Sequence, residues 1–439
     1  MAQYYCGTAI ADITPEESYL EKLYALMDGS FAGIIDRLQL RVIALSSGED
    51  KALLISFDLD KAPNPKTWLP ELSQHTGIPE ENILYIGTHT HSAPLTTERD
   101  FEHNRASDEQ KAAMREYEAM VHEKLLAAVD SALVEMIPAR IGTAVGKSYI
   151  NVNRNAGFLY TAPNGTEYPY VSQGPNFGAP VDRDLFVMKI EDMNGNPLAF
   201  FTNYAVHCCV MFCNDYDGHR RMGVCGDIAG NVSAALEKKF PGTVAIWSSG
   251  AAGDVNPIMM NAVMYPNPAD GSYIIDGVGP WFSTKKLLDM LVGWHFKDTL
   301  DAIRTIRCEE TEGALKGAVE WSETPGDNAG EDVENGTYRI RLHALRVGDT
   351  TIFGVGGEFY NYFGRLVKQL SPAKNTVVVN HDASLIHDAS YIHDDESIDR
   401  IAQQAPIFTM VPGGRPHTQK GYLEESIRKH TDSLSQKVR

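Results

Sequence analysis

Two histidines stand two residues apart at the end of an apolar run, Ile83-Leu84-Tyr85-Ile86-Gly87-Thr88-His89-Thr90-His91-Ser92-Ala93-Pro94. An i, i+2 spacing puts both imidazoles on one side of an extended chain. Neutral imidazole is a good zinc ligand, and the end of a strand holds it rigidly. A bare His-x-His also arises by chance on solvated loops, but the flanking Gly87 and Pro94 and the small Ser92 and Ala93 favour a built site. His207 closes a second apolar run, in Phe200-Phe201-Thr202-Asn203-Tyr204-Ala205-Val206-His207-Cys208-Cys209. A lone histidine there is more often a satisfied core residue. A rival reading joins it to Cys208, Cys209, Cys213 and Cys225 as a sulfur-rich site; adjacent cysteines face opposite sides of a strand, however, and the C-x-x-C spacing is missing.

Two carboxylates follow the same pattern. Trp247-Ser248-Ser249-Gly250-Ala251-Ala252-Gly253-Asp254-Val255-Asn256-Pro257 runs an apolar segment into a small-residue loop carrying Asp254, and Ile352-Phe353-Gly354-Val355-Gly356-Gly357-Glu358 ends in glycines and an acid. Glycine lets backbone approach a neighbour closely; the plainer reading of the first is a turn capped by Asp254. Residues 380–395, NHDASLIHDASYIHDD, space His381, His387 and His393 six apart around Tyr391. Such a tract is either solvated loop or a weak metal binder.

The elements that hold these residues are legible in outline. Short β-branched apolar runs at 40–45, 52–57, 83–86, 185–190, 243–247 and 351–355 read as strands. Ser107 and Gln110 form a capping-box pattern before an apolar face of Met114, Tyr117, Val121, Leu125, Ala128 and Ala132, so a helix is expected there, ending before Pro138. Further helices are expected from about Asp227, over about 283–306, and after Glu358. Residues 155–182, 257–280 and 322–335 read as surface loops, the last as a solvated hairpin connection. The alternation predicts an α/β chain with mixed β-sheets flanked by helices, residues 1–439 forming one domain.

Composition excludes several classes. At 43% hydrophobic and 22% charged residues the chain is ordinary globular material. Its formal charge of −19 argues against nucleic acid as a partner and against anionic membrane surfaces. No apolar run reaches the roughly 18–20 residues needed to span a bilayer, so no integral membrane association is expected. The first residues carry no secretory pattern and the six cysteines suggest no disulfide framework, which together predict a cytoplasmic location.

The ordered set GTAIADITP, THTHSAP, NVNR, VDRDLFVMKIED, AVHCCVM, GDIAG, GAAGDVNP and GGEF resembles the catalytic domain of the neutral/alkaline non-lysosomal ceramidases, from about Gly7 to about Tyr391. The resemblance implies a fold with the metal at strand ends, and zinc ligands His89, His207, Glu358 and Tyr391. It also implies that His91 and Arg154 contact the scissile amide or its oxyanion, that Asp254 takes a proton from water, and that Asp58 and Asp227 support the site. Three departures stand out. Asn256 occupies the place of a family serine, removing that side chain as a nucleophile; Gln403 stands where the family has a second tyrosine; and no counterpart of the family's C-terminal β-sandwich domain is expected.

Two histidines with Glu358 match a catalytic zinc set that leaves room for water, unlike a closed cysteine-rich site. The expectation is therefore a zinc-dependent amide hydrolase acting on linear amides, its partner a small or soluble N-acyl compound and its cofactor Zn2+. The alternatives are a metal-dependent lyase or cyclase on the same site, or a zinc-binding homologue without turnover. Oligomeric state is not legible in the sequence.

Overall fold

The computed structural model describes residues 2–25, 29–96, 106–161, 164–266, 273–326, 333–334, 336–384, 391–402 and 416–439. Eight strands form the main sheet, in the order Val244–Ser249, Pro197–Tyr204, Asp184–Asp192, Ile137–Lys147, Tyr4–Asp12, Gln39–Ser47, Asp50–Phe57 and Ile83–Gly87. Its outermost pairs at both edges are parallel and the inner ones antiparallel. A second sheet joins Leu315–Pro325, Thr337–Val347, Thr350–Val355 and Asn375–Val379, with the short Val333–Glu334 on Thr337–Val347.

Strand alternation assigns each side chain to a layer. In Gln39–Ser47, Ile43 and Leu45 face the second sheet, where they meet Leu345, Ile352 and Val377. Leu40, Val42 and Ala44 face the other way, onto Met114, Val121 and Leu125 of the helix Asp108–Val134. The helices Asp227–Lys239 and Trp281–Thr305 cover the rest of that outer face. Beyond the second sheet, Asn361–Leu370 and Leu423–Lys437 pack on Ile340, Phe353 and Val378. The result is four layers, helices on sheet on sheet on helices, as the mixed α/β expectation requires.

The capping box at Ser107 is formed: its hydroxyl accepts from Gln110 N at 3.2 Å, and the Gln110 side chain accepts from Ser107 N at 2.9 Å. The other expected helices begin at Asp227, Trp281 and Asn361. Two loop expectations need correction, and a third needs only its start moved. Asn151–Thr161 and Glu167–Asn176 pair as an antiparallel hairpin within the supposed loop 155–182. Ala262–Pro266 and Tyr273–Gly277 do the same within 257–280. The segment 322–335 is a hairpin connection as expected, between the antiparallel Leu315–Pro325 and Thr337–Val347, but it starts later, Ser322 to Pro325 being still strand. Of the two corrected loops, 155–182 is polar enough to read as one, whereas Ala262–Pro266 and Tyr273–Gly277 are largely apolar; backbone pairing holds both.

The sheet curls so that Val244–Ser249, at one edge, approaches Gln39–Ser47 and Asp50–Phe57. That curl brings loops from opposite ends of the strand order together. Thr90 and Cys208 form a parallel bridge, and His91 N donates to Cys208 O at 3.1 Å.

Candidate metal centre

His89 sits two residues past Ile83–Gly87 with a left-handed backbone, φ 63°. Its loop is tied back to the neighbouring strand, Thr88 N donating to Phe57 O and His89 N to Leu59 O. The turn needs Gly87, because a Cβ there would lie 2.7 Å from the Lys61 backbone. His207 follows Pro197–Tyr204, and its backbone N donates to Val255 O at 3.1 Å. Glu358 begins a two-residue strand paired in parallel with Tyr391–Ile392, so that Glu358 and Tyr391 are register partners. Gly253 permits this assembly too: a Cβ on it would meet Glu358 O at 2.5 Å.

The four expected ligands converge. Glu358 Oε2 lies 3.1 Å from His207 Nε2 and 3.5 Å from His89 Nε2. Tyr391 Oη is 3.5 Å from His207 Nε2. The other nitrogen of each histidine is engaged: His89 Nδ1 is 3.0 Å from Asp60 Oδ1, and His207 Nδ1 is 3.1 Å from Val255 O. That leaves both Nε2 atoms for a shared ligand, the usual arrangement of metal-binding imidazoles. Glu358 Oε2 is buried and has no hydrogen-bond partner. A buried, unpaired carboxylate oxygen between two imidazole nitrogens fits a cation in its midst.

Electrostatics agree. Burial alone would lower the pKa of His89, but the Glu358 and Asp60 charges outweigh it and lift it to about 10. A field that so favours a proton favours a cation at the same place. Burial and then the Arg154 charge depress His207 to about 4, keeping its ring neutral and able to donate a lone pair. Burial, reinforced by His89, holds His91 well below its ordinary value.

The other expected residues flank the cluster. His91 Nε2 is 3.1 Å from His89 Nε2, and its Nδ1 is buried without a partner. Arg154 Nη1 lies 3.4 Å from His207 Nε2 and donates to Asn256 Oδ1 at 3.3 Å; its guanidinium stands 5.0 Å from the centre of the Tyr391 ring. Asp254 is set differently. Both its oxygens are taken, by Asn153 Nδ2 and by Asn361 N, each at 2.6 Å, and burial raises its carboxyl to about 6. It lines a cavity of about 550 Å³ with Asn153, Asn155, Arg365, Asp394 and Arg400.

Asp58 and Asp227 do not touch the imidazoles. Asp58 Oδ2 binds Arg41 at 2.8 Å and Gln39 N at 3.0 Å, while Asp227 accepts from Met211 N and Ile228 N. The acid that does reach the cluster is Asp60, unforeseen in the sequence. The histidine tract is not solvated where it is described: His381 and His393 are buried, His381 stacked on His89 and His393 packed at a tilt against Tyr360. His387 and Gln403 lie outside the described residues. Among the described residues the groups able to hold a metal are His89, His91 and His207, and His89, Glu358 and His381. Neither contains a cysteine, so the sulfur-rich reading has no site there.

Comparison with known proteins points one way. The profile of the neutral/alkaline non-lysosomal ceramidases, N-terminal region, matches residues 4–269. Neutral ceramidase B of Dictyostelium discoideum is 29% identical over 280 residues, covering 58% of this chain and 36% of that protein. Neutral ceramidase A of the same organism is 27% identical over 273 residues, with the same coverage. The chain thus spans about a third of the length of these relatives. The crystal structure of neutral ceramidase from Pseudomonas aeruginosa superposes with a TM-score of 0.69 at 14% identity, over 100% of this chain and 74% of that one, a likeness of fold.

Proposed function

Because the chain belongs to the neutral/alkaline non-lysosomal ceramidase family, we propose that it is a zinc-dependent hydrolase of an amide bond, with a small, polar N-acyl compound as substrate. The observation that carries this reading is the convergence of His89, His207 and Glu358 on a buried carboxylate oxygen that has no hydrogen-bond partner. A divalent cation held there would polarise a carbonyl and bring the pKa of water from about 15.7 to about 7.

The chain's own groups then divide the work. Tyr391 completes the ligand set from the strand register opposite Glu358. Arg154 carries a fixed positive charge beside His207 and Tyr391, where an oxyanion would develop. His91, neutral and with Nδ1 unpaired, is placed to take up a proton released by the attacking water and hand it on to the leaving nitrogen. Asp254, with its carboxyl near 6, exchanges a proton close to neutrality and serves as the acid–base group on the cavity side.

Of the expected site residues Asp254 alone lines the cavity, and the surface it meets there is polar. Its wall at Asp254 is formed by buried asparagines and by charged side chains, which an acyl tail would desolvate at a cost of about 2 kcal/mol or more per unpaired polar group. The −19 formal charge also disfavours anionic bilayers. Among the described residues no helix is long and apolar enough to cross a membrane. Short soluble N-acyl amines, N-acyl amino compounds and long-chain ceramide, each assayed with and without detergent, test the reading by product analysis. New acid and amine from the soluble compounds, faster than from ceramide, are expected. An isomerised product with no new amine would replace hydrolysis with a lyase or cyclase, and turnover of long-chain ceramide alone would overturn the substrate class.

A further inference from the structure

By distance alone His381 is another ligand, since ligand atoms of His89, Glu358 and His381 all lie within 4.8 Å of one another. Ring geometry excludes it from the cation that His89 would hold. The two rings stack with centroids 3.9 Å apart and planes inclined by 17°. An imidazole lone pair lies in the plane of its own ring, and a zinc ion sits about 2.0–2.1 Å along it. A cation in the plane of His89 therefore stays about one ring separation away from the plane of His381, far from any lone pair there. One ion cannot take both rings.

We propose instead that His381 is a positioning residue, a plate against which the face of His89 is held, and that it sets how tightly the centre binds its cation. This rests on the metal reading above. His89 Nδ1 lies 3.2 Å from Asp60 O and 3.0 Å from Asp60 Oδ1, and the rings of His91 and His207 stand roughly perpendicular to it, with centroids at 4.6 and 4.9 Å. Among the described rings His381 is the one that lies flat on it, and so resists tilt over the whole ring face. Hydrogen-bonded partners that orient a ligand histidine govern metal affinity by about 10–100-fold, and a stacked ring that orients the same imidazole is expected to act on that scale.

The backbone at His381 is built for such a role. Its φ of 62° is left-handed, uncommon for a residue with a side chain, and such conformations persist where the surroundings over-determine them. Here they do. His381 N donates to Gly357 O at 3.2 Å, and its carbonyl accepts from Gly87 N at 3.4 Å. Asn380 N donates to Ser249 O, Asp382 N to Val355 O and Ala383 N to Tyr85 O, at 3.0, 3.0 and 2.7 Å. The Asp382 carboxylate, buried, binds Arg341 at 3.0 Å, His343 at 2.7 Å and Tyr85 N at 3.0 Å. Residues 380–383 thus stitch both edges of the main sheet to the second sheet and present one ring to His89.

The test is zinc affinity, measured by competition with a chromophoric chelator, on the parent, His381→Asn and His381→Phe. Asparagine tolerates the left-handed backbone and removes the ring; phenylalanine keeps a ring and removes the nitrogens. The asparagine variant is expected to bind zinc about 10–100-fold more weakly while the chelated protein melts near the parent temperature, and phenylalanine to restore affinity to within a few-fold. Equal affinity of parent and asparagine variant would overturn the clamp, as would a phenylalanine variant as weak as the asparagine one. Failure of the parent to bind zinc would overturn the metal reading itself. Should the phenylalanine variant not fold, cobalt decides: the asparagine variant's visible spectrum is expected to shift from the parent's, and an unchanged spectrum would overturn the proposal.

Discussion

Glu358→Gln and His207→Ala are each expected to leave a folded protein that neither retains zinc through purification nor hydrolyses substrate. Glu358 Oε2 is the one negatively charged atom between His89 Nε2 and His207 Nε2, and a neutral amide of the same shape cannot balance a cation there. Polarisation of a carbonyl by a bound metal is worth several kcal/mol, and about 4 kcal/mol corresponds to about a thousandfold in rate. The Glu358→Gln loss should therefore be on the order of 10³-fold or more. Folding should survive, because glutamine keeps the shape and volume of the buried side chain, and its amide can still face His207 Nε2 at 3.1 Å. Elemental analysis together with initial rates checks both effects. A Glu358→Gln variant with full zinc and parental rates would place the metal, and the chemistry, elsewhere.

Asp254→Asn is expected to cost on the order of 10²–10⁴-fold in kcat, the usual loss for a positioned acid–base group. Asparagine cannot take up a proton at Oδ2, and its amide would set a donor against the donor already at Asn153 Nδ2 or Asn361 N. Asn256→Ser, two residues on, is expected to stay within about tenfold, roughly 1.4 kcal/mol. Asn256 Oδ1 accepts one 3.3 Å bond from Arg154, whose Nη2 keeps its own bond to Gly253 O at 2.5 Å. Zinc content should be near the parent's in both. Comparable rates for Asp254→Asn and the parent would remove Asp254 from proton transfer and leave it a brace for the loop at Asn361.

The contrast between what could and could not be read from the sequence follows from how each residue is placed. His89, His207 and Glu358 each end an apolar run, so the run marks the strand and its end marks the ligand. Asp60 is placed by pairing instead: Phe57 lies opposite Gly87 in the parallel register, which sets the residues after each strand side by side. No local pattern records which strands are neighbours, so an acid three residues past Phe57 looked like any other. His381 was hidden for a similar reason. Its tract is charged and reads as solvated, and only the closure of the two sheets buries it. The hairpin of Asn151–Thr161 and Glu167–Asn176 was missed because it alternates poorly, carrying asparagines, glycines and Pro169 where a half-buried strand would carry apolar residues. Its first strand still matters, since it also pairs with Val255–Pro257 and so sets Arg154 against Asp254, whose carbonyl accepts from Arg154 N at 2.8 Å. The helix Pro65–Thr76 went unforeseen with Pro70 inside it, and Leu423–Lys437 lies beyond the family resemblance.

Zinc removal and return, followed in one sample by metal content and by release of amine from a soluble N-acyl substrate, addresses the functional reading most directly. Stripping with a chelator should abolish amine release, and adding back zinc should restore it in proportion to occupancy, reaching a plateau at about one ion per chain, the number a single catalytic site holds. Undiminished amine release from protein shown to contain no metal would contradict the assignment of His89, His207 and Glu358 as the centre of the chemistry.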